Sequence, residues 1–249
     1  DRFALHRLEE IVRRVKDAYE RFQFHSVYYT LYNFCTVDLS ALYLDVLKDR
    51  LYTSKATSRK RRSAQSAMYL LLHSMTRLLA PILSFTAEEV WGAMPYYAGK
   101  ESSVHLTQFP DPSPGDHELA ERWKTMLNIK AEISRAIEMA RQNKVIGHPL
   151  EASVDISPPE NLRSLLEGYR EEMRMLLIVS QFNIVGDGAI AEPYDSSEIA
   201  GFKIGVKKAS GQKCGRCWIY GVSVGSDPLH PAVCERCLDN LSLCENTEA

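Results

Sequence analysis

The feature that most constrains this chain is a pair of Cys-x-x-Cys motifs near its C-terminal end. Cys214 and Cys217 form the first motif, sixteen residues follow, and Cys234 and Cys237 form the second. Each motif can turn tightly enough to direct two thiolates at one ion, and the insert is long enough to fold out and back as a ribbon. The spacing therefore predicts one structural zinc ion, which stabilises a module with too few apolar residues to fold alone. Two disulfides or four unrelated thiols are the alternative, which the identical spacing of both motifs disfavours.

The length and composition are those of an ordinary globular protein. The 249 residues suit two or three domains, and 45% of them are hydrophobic and 25% charged. No apolar segment is long enough for a membrane span, and the first residues do not resemble a signal peptide. Reduced, paired cysteines fit the cytosol better than a secreted protein. Because the first residues already follow an amphipathic helical pattern, we expect a fragment of a longer cytoplasmic chain.

Hydrophobic periodicity divides the chain into three predicted parts. The helices predicted in the first part are 3–24, 26–50, 58–81, 86–91 and 116–144. Further along, the patterns predict a strand at 150–156, a helix at 160–177, and strands at 178–185 and 199–208. We therefore expect a mainly α fold, with a helical bundle over 1–147, a small α+β junction module over 148–208 and a zinc-ribbon-like finger over 209–249.

Local residue types refine this expectation for the bundle. The segment 26–50 is rich in aromatic residues, so we expect it to lie deep in the bundle. Thr86 and Glu89 have the spacing of a capping box, which predicts the start of a short helix there. The neighbouring carboxylates Glu88 and Glu89 are interpreted as solvated, and 104–106 as an extended segment.

Basic residues are concentrated in two stretches although the formal net charge is −2. Seven Lys and Arg residues accompany one acid from Lys48 to Arg62, and five accompany none from Lys203 to Arg216. Such local concentrations can bind a polyanion without making the whole chain basic. On charge alone, solvated helix ends and loops remain an alternative.

The sequence lacks the motifs of common catalytic sites. It contains no Gly-rich phosphate loop, no Gly-x-Ser-x-Gly elbow and no His-Glu-x-x-His pair. Four thiolates leave zinc no open coordination position, so the ion is not expected to act as a Lewis acid. His73 is interpreted as a structural histidine of the third helix, and His230 as a weaker candidate ligand than the four cysteines. We identify no catalytic residue.

Several segments spread along the chain have a distinctive sequence. In chain order they are NFCTVDLSALYLD (33–45), KDRLYT (48–53), RRSAQ (61–65), APILSFTAEEVW (80–91), and KCGRCW (213–218) with CERC (234–237). These segments resemble bacterial-type isoleucyl-tRNA synthetases. The resemblance covers nearly the whole chain and implies the helical anticodon-binding domain of a class I synthetase, a junction module and a zinc finger. The family's ATP-site signatures, His-Ile-Gly-His and Lys-Met-Ser-Lys-Ser, do not occur here. ATP, Mg²⁺ and catalysis are therefore expected in another part of the parent ligase.

The same resemblance implies tRNA(Ile) and the rest of the parent chain as partners of a cytoplasmic monomer. Unpaired anticodon bases stack on aromatic rings and guanidinium planes, and basic side chains bind phosphates. The candidate tRNA contacts are Arg50, Lys55, Arg59, Lys60 and Arg62 on the bundle, and Arg216, Trp218 and Arg236 near the zinc. The ring of Trp218 either stacks on a base or forms the core of the finger.

Two other classes of protein remain as alternatives. A similar finger occurs in formamidopyrimidine-DNA glycosylases, which suggests a DNA-binding or repair module. Such a glycosylase needs an N-terminal proline nucleophile, whereas this sequence starts with Asp1 and Arg2. The other alternative is a structural scaffold whose basic stretches contact only the parent chain.

Overall fold

The computed structural model describes residues 1–241 and divides the chain into two compact units. The first unit comprises Asp1–Leu51 and Ala56–Ala120, and the second comprises Tyr52–Lys55 and Glu121–Ala249. Residues 242–249, the end of the predicted finger range, lie outside the described residues. The predicted division into three parts, with boundaries at 147 and 208, differs from these two units and stays a prediction.

Helices account for most of the regular structure in the first half of the chain. In order they are α1 (Arg2–Glu20), α2 (Phe24–Asn33), a π-helical segment (Phe34–Leu44), α3 (Asp45–Thr53), α4 (Arg59–Leu79), α5 (Ser84–Ala93), a 3-10 turn (Val104–Leu106) and α6 (His117–Gln142). The predicted helix over 26–50 is thus helical throughout, but its middle is π-helical. The apolar pattern alone does not distinguish the two kinds of helix.

The core of the first unit lies where α1, α2, the π-helical segment, α3 and α4 meet. Its fully buried side chains include Val15, Val27, Phe34, Leu47 and Leu78. The buried residues of α1 recur at helical spacing, so this helix presents one apolar face to its neighbours. Full burial of an aliphatic or aromatic side chain contributes roughly 1.5–3 kcal/mol, and this face stabilises the bundle.

Three tyrosines of α2 contradict the expectation that the aromatic segment is deeply buried. Tyr28, Tyr29 and Tyr32 are 54%, 61% and 53% exposed. The buried residues of α2 are Val27 and Leu31. The tyrosines occupy other positions around the same helix, so their side chains lie outside the core of this unit. Aromatic content did not indicate which face they occupy.

The region around α5 corrects two further expectations. The helix begins at Ser84, two residues before the predicted capping box, and 104–106 forms a 3-10 turn instead of an extended segment. Glu88 is not simply solvated, because its Oε2 accepts hydrogen bonds from Ser103 Oγ at 2.8 Å and from the amide N–H of Val104 at 3.0 Å. The carboxylate of Glu88 therefore holds the start of the 3-10 turn, at Ser103 and Val104, against α5.

The second unit contains a small mixed sheet with strand order β2-β1-β4-β3. Its elements are β1 (Ala152–Ser157), α7 (Glu160–Gly168), α8 (Arg170–Leu177), β2 (Gln181–Ile184), β3 (Tyr194–Asp195) and β4 (Lys203–Lys208). Strand β1 pairs parallel with β2 and antiparallel with β4. The predicted helix over 160–177 is broken at Tyr169, which joins α7 to α8.

The described end of the chain forms the predicted finger. A short antiparallel pair, β5 (Gln212–Lys213) and β6 (Tyr220–Gly221), precedes the helix α9 (Glu235–Leu241). The mainly α fold with a small sheet region and a cysteine cluster confirms the predicted fold class. None of the helices in residues 1–241 combines the length and hydrophobicity that crossing a membrane requires.

Candidate metal centre and nucleic-acid interface

The four cysteines of the two motifs lie together. The Sγ atoms of Cys214, Cys217, Cys234 and Cys237 all lie within 4.8 Å of one another, and those of Cys217 and Cys234 are 3.7 Å apart. A tetrahedral zinc site with Zn–S bonds of about 2.3 Å separates its sulfurs by roughly 3.8 Å. The observed cluster therefore fits a four-thiolate zinc ion with little rearrangement.

Backbone hydrogen bonds hold the two motifs against each other. Within the first motif, the Trp218 amide donates to the carbonyl of Cys214 at 2.9 Å. In the second, the Cys237 amide donates to the carbonyl of Cys234 at 2.9 Å. Between the motifs, the Gly215 amide donates to the carbonyl of Ala232 at 2.8 Å, and the Cys234 amide donates to Cys214 Sγ at 3.4 Å. The bond from the Cys234 amide, the one of these four that reaches a sulfur, stabilises negative charge on Cys214 Sγ.

One of the four thiols, that of Cys217, ionises more readily than an ordinary cysteine thiol. A hydrogen bond from the Cys237 thiol is the main cause that lowers the pKa of Cys217 to about 4, and the nearby guanidinium of Arg236 acts in the same direction. The same bond and burial raise the pKa of Cys237. Because zinc requires thiolates, metal binding releases the remaining protons and is favoured as pH rises.

Arg216 and Arg236, two of the predicted tRNA contacts, both face the cysteine cluster. The guanidinium of Arg236 lies close enough to Cys217 to lower the pKa of its thiol, and Arg216 acts in the same direction on the pKa of Cys237. Four thiolates around Zn²⁺ carry a net charge of −2, which two guanidinium groups offset. The structure thus places both arginines in contact with the metal ligands, a position that their spacing in the sequence did not indicate.

Trp218 lies at the surface of the finger. Its side chain is 59% exposed, whereas the buried core of the finger consists of Cys214, Val224, Cys234 and Cys237. The Nζ atom of Lys213 lies 5.3 Å from the centre of the Trp218 ring, a cation–π contact. Of the two interpretations of Trp218, the structure supports the exposed ring. Lys213 was not among the predicted tRNA contacts, although it belongs to the second basic stretch.

Three predicted contacts in the first turn of α4 are exposed. Arg59, Lys60 and Arg62 follow the N-cap residue Ser58. The Nη1 atom of Arg62 donates to the side-chain oxygen of Gln65 at 3.2 Å. Cations are unfavourable at this end of the helix dipole, so these side chains do not stabilise α4. Their positive charge is available to an anion.

Arg50, in contrast, is engaged in an ion pair within the first unit. Its Nη2 and Nη1 atoms donate to the two carboxylate oxygens of Asp1 at 2.8 Å and 3.1 Å. Asp1 also accepts hydrogen bonds from the hydroxyls of Tyr43 at 2.8 Å and Ser63 at 2.7 Å. The side chain of Arg50 is only 19% exposed. Its described contacts therefore serve the packing of the bundle.

Lys55, the remaining candidate, belongs to the short segment of the second unit that precedes α4 in sequence. Its amide N–H donates to the Oδ1 atom of Asn240 in α9 at 2.9 Å. No sequence signal indicated this contact, because the two residues are 185 positions apart.

Comparison with known proteins identifies the helical part of the chain. A family model described as the anticodon-binding domain of tRNA ligase matches residues 1–156. The chain belongs to this family. A second model, described as the zinc finger found in FPG and IleRS, matches residues 211–240, which include all four clustered cysteines. The family match and the sulfur geometry together confirm the prediction of one structural zinc ion.

Curated relatives agree with this membership. The chain is 48% identical over 242 residues to an isoleucine–tRNA ligase of Syntrophotalea carbinolica, 45% identical over 240 residues to that of Geobacter sulfurreducens, and 42% identical over 241 residues to that of Moorella thermoacetica. These alignments cover 95–96% of this chain and 26% of each relative. The chain therefore spans about a quarter of the length of the curated relatives that it matches.

These comparisons confirm the resemblance to isoleucyl-tRNA synthetases. They do not favour the DNA-repair module or the scaffold. Membership of an anticodon-binding family implies a tRNA partner. The match to one region of much longer ligases is consistent with a chain that carries no catalytic site of its own.

Proposed function

We propose that this chain is the tRNA(Ile)-binding, C-terminal part of an isoleucine–tRNA ligase. The match of residues 1–156 to the anticodon-binding family is the observation that carries the proposal. The finger at 211–240 and the isoleucine–tRNA ligases found as relatives support it. In the parent enzyme, a catalytic core outside these residues joins isoleucine to tRNA with ATP and Mg²⁺. The parent acts as a monomer in the cytoplasm.

The exposed basic and aromatic residues supply the chemistry for RNA binding. Arg59, Lys60 and Arg62 bind phosphates of the anticodon stem-loop, which makes the affinity salt-dependent. Trp218, with Lys213 beside it, stacks on an unpaired base, and such stacking contributes about 1–3 kcal/mol. The two groups provide backbone binding and base contact, the combination that recognition of single-stranded RNA requires.

The remaining candidates occupy partly buried positions within their own units. Arg50 fixes the packing of α1 and α3 through Asp1, while Arg216 and Arg236 offset the charge of the zinc thiolates. Lys55 adds a further cation close to α4 in sequence. Zinc supplies no chemistry to the RNA, because four thiolates occupy its coordination sphere; when bound, it fixes the finger.

We retain three domains in this proposal, with boundaries at 147 and 208. The sheet runs from Ala152 to Lys208 and includes no residue of the cysteine motifs, which supports a junction module separate from the finger. The anticodon-binding family model extends to residue 156, slightly beyond the first boundary.

Binding of an anticodon stem-loop to the zinc-loaded chain tests the proposed function. We expect the stem-loop of tRNA(Ile) to bind more tightly than one with the same stem and an unrelated anticodon. A DNA duplex of equal charge serves as the control. Equal affinity for the duplex and the cognate stem-loop would favour the DNA-binding alternative. Failure of every nucleic acid to bind would favour the scaffold.

A further inference from the structure

Two side chains of the finger bind the backbone of the short segment that follows α3. The Nη1 atom of Arg216 donates to the carbonyl of Thr53 at 2.6 Å. The Oδ1 atom of Asn240 accepts from the amide of Lys55 at 2.9 Å. Arg216 and Asn240 are 163 and 185 positions away from their partners, and all four residues belong to the second unit.

The first of these contacts completes the end of a helix. Thr53 is the last residue of α3 and is 7% exposed. The last carbonyls of a helix have no intrahelical partner, so a buried one needs an external donor. The guanidinium of Arg216 provides that donor and places a positive charge at the favourable end of the helix dipole.

Both finger residues are held by the cysteine cluster. Arg216 lies between the ligands Cys214 and Cys217 in the chain, and its side chain lies beside Cys237. Asn240 follows Cys237 by three residues in α9, and its Nδ2 atom donates to the carbonyl of Arg236 at 2.6 Å. This second bond orients the amide so that Oδ1 faces Lys55. The positions of both side chains therefore depend on a folded finger.

We infer that Arg216 and Asn240 are positioning residues, through which the zinc-loaded finger fixes the segment Thr53–Lys55 and thereby the side chain of Lys55. Zinc binding is thus coupled to the order of a segment distant in sequence from every ligand. The consequence for RNA, that Lys55 contributes to binding only while the finger holds this segment, rests on the function proposed above. The coupling between zinc binding and the order of Thr53–Lys55 does not depend on that proposed function.

Amide hydrogen exchange of the whole chain tests the coupling, with the Lys55 amide as the reporter. We expect exchange of the Lys55 amide to become about tenfold faster in zinc-loaded Asn240→Ala, since one hydrogen bond of this kind is lost, and at least as much faster when zinc is chelated, since both finger contacts are then lost. Asn240→Ala leaves all four ligands intact, so its zinc content should equal that of the wild type. Arg216→Lys, which keeps a donor, should retain more protection than Arg216→Ala.

Lys124→Ala is the charge-matched control for the arginine variant, because Lys124 is an exposed cation of α6 in the same unit. Its exchange at Thr53–Lys55 should match the wild type. Unchanged exchange at these residues after zinc removal, or in Asn240→Ala, would overturn the inference.

The effect on RNA is measured by a double-mutant cycle with the anticodon stem-loop. Lys55→Ala and Asn240→Ala should each lower the affinity for the stem-loop. The double variant should lose no more affinity than the single variant with the larger loss, since both changes act through Lys55. Fully additive losses would contradict the positioning role. If the wild type does not bind the stem-loop, the proposed function fails, while hydrogen exchange still decides the coupling.

Discussion

The guanidinium of Arg50 and the carboxylate of Asp1 form an ion pair, at 2.8 Å, that links the start of α1 to α3. Both side chains are largely buried, at 19% and 15% exposure, and Asp1 also accepts two hydroxyl hydrogen bonds. We expect Arg50→Ala to lower the free energy of unfolding by about 3 kcal/mol, because removal of one partner leaves a poorly solvated carboxylate. Urea denaturation measures this change. A variant as stable as the wild type would contradict the structural role assigned to Arg50.

Arg62→Ala should weaken binding of the anticodon stem-loop without altering stability. Its side chain is exposed in the first turn of α4, where a cation does not stabilise the helix. We expect the slope of log affinity against log salt concentration to fall by about 1, as for the loss of one phosphate contact. Filter binding at several salt concentrations measures the slope. Lys124→Ala, which removes a cation from α6, should leave it unchanged; an equal decrease there would indicate a general charge effect.

Trp218→Ala should cost about 1–3 kcal/mol of stem-loop binding, the contribution of one stacked base. Because the ring is 59% exposed, we expect the melting temperature and the zinc content to stay close to those of the wild type. Fluorescence titration with labelled RNA measures the affinity. Leu229→Ala is a matched control, since Leu229 is an apolar finger residue that is 86% exposed. Similar losses in both variants would argue against stacking by Trp218.

Cys234→Ser should release zinc and unfold the finger. The hydroxyl of serine does not ionise at neutral pH, so the site loses one of its four thiolates. Elemental analysis after gel filtration measures the metal, and limited proteolysis locates the unfolded part of the chain. Cys35→Ser is the control, because Cys35 lies in the π-helical segment and should not affect metal content. Full zinc occupancy in Cys234→Ser would refute the four-thiolate site.

His73 should make the stability of the first unit depend on pH. Burial lowers the pKa of His73 from its ordinary value of 6.5, and the nearby cations Arg77 and Lys100 lower it further. The folded state therefore binds the proton less readily than the unfolded state. The stability that neutral His73 contributes is fully present above pH 6.5. It is lost as pH falls below this value toward the pKa of His73 in the folded state.

Melting temperatures measured above and below pH 6.5 test this sign. His73→Phe should lose less stability than the wild type on acidification, although it also loses the 3.1 Å contact between Nε2 and the Tyr97 hydroxyl. Tyr97→Phe retains the histidine and serves as the control, so its pH dependence should follow that of the wild type. If acidification lowers the melting temperature of the wild type less than that of His73→Phe, the predicted lowering of the His73 pKa is contradicted.

The sequence predicted features that depend on nearby residues. The zinc cluster follows from two short motifs with fixed spacing, and α4, predicted over 58–81, is observed at Arg59–Leu79. Helix periodicity and cap residues contain this information locally. The position of Tyr28 did not follow from composition, because burial depends on which face of α2 meets its neighbours.

Partners distant in sequence could not be predicted at all. Arg50 was proposed as a tRNA contact, which stays a prediction, and its pairing with Asp1, 49 residues away, could not be read from the sequence. Glu88 was interpreted as solvated, and only the fold brings Ser103 to it. Arg216 has the same charge as any other basic residue of its stretch, and its contact with Thr53 depends on the folded finger. Charge and spacing thus identify candidate residues, while the fold determines which of them remain free for a ligand.

The pairing of β1 with β4 has a consequence for synthesis of the protein on the ribosome. Strand β1 emerges with β2 soon after it, but its antiparallel partner at Lys203–Lys208 is translated much later. Until then one edge of β1 has no strand beside it, and such an edge can pair with another nascent chain. The cysteines follow β4 almost at once, so the metal can be captured only after every strand of this sheet has been translated.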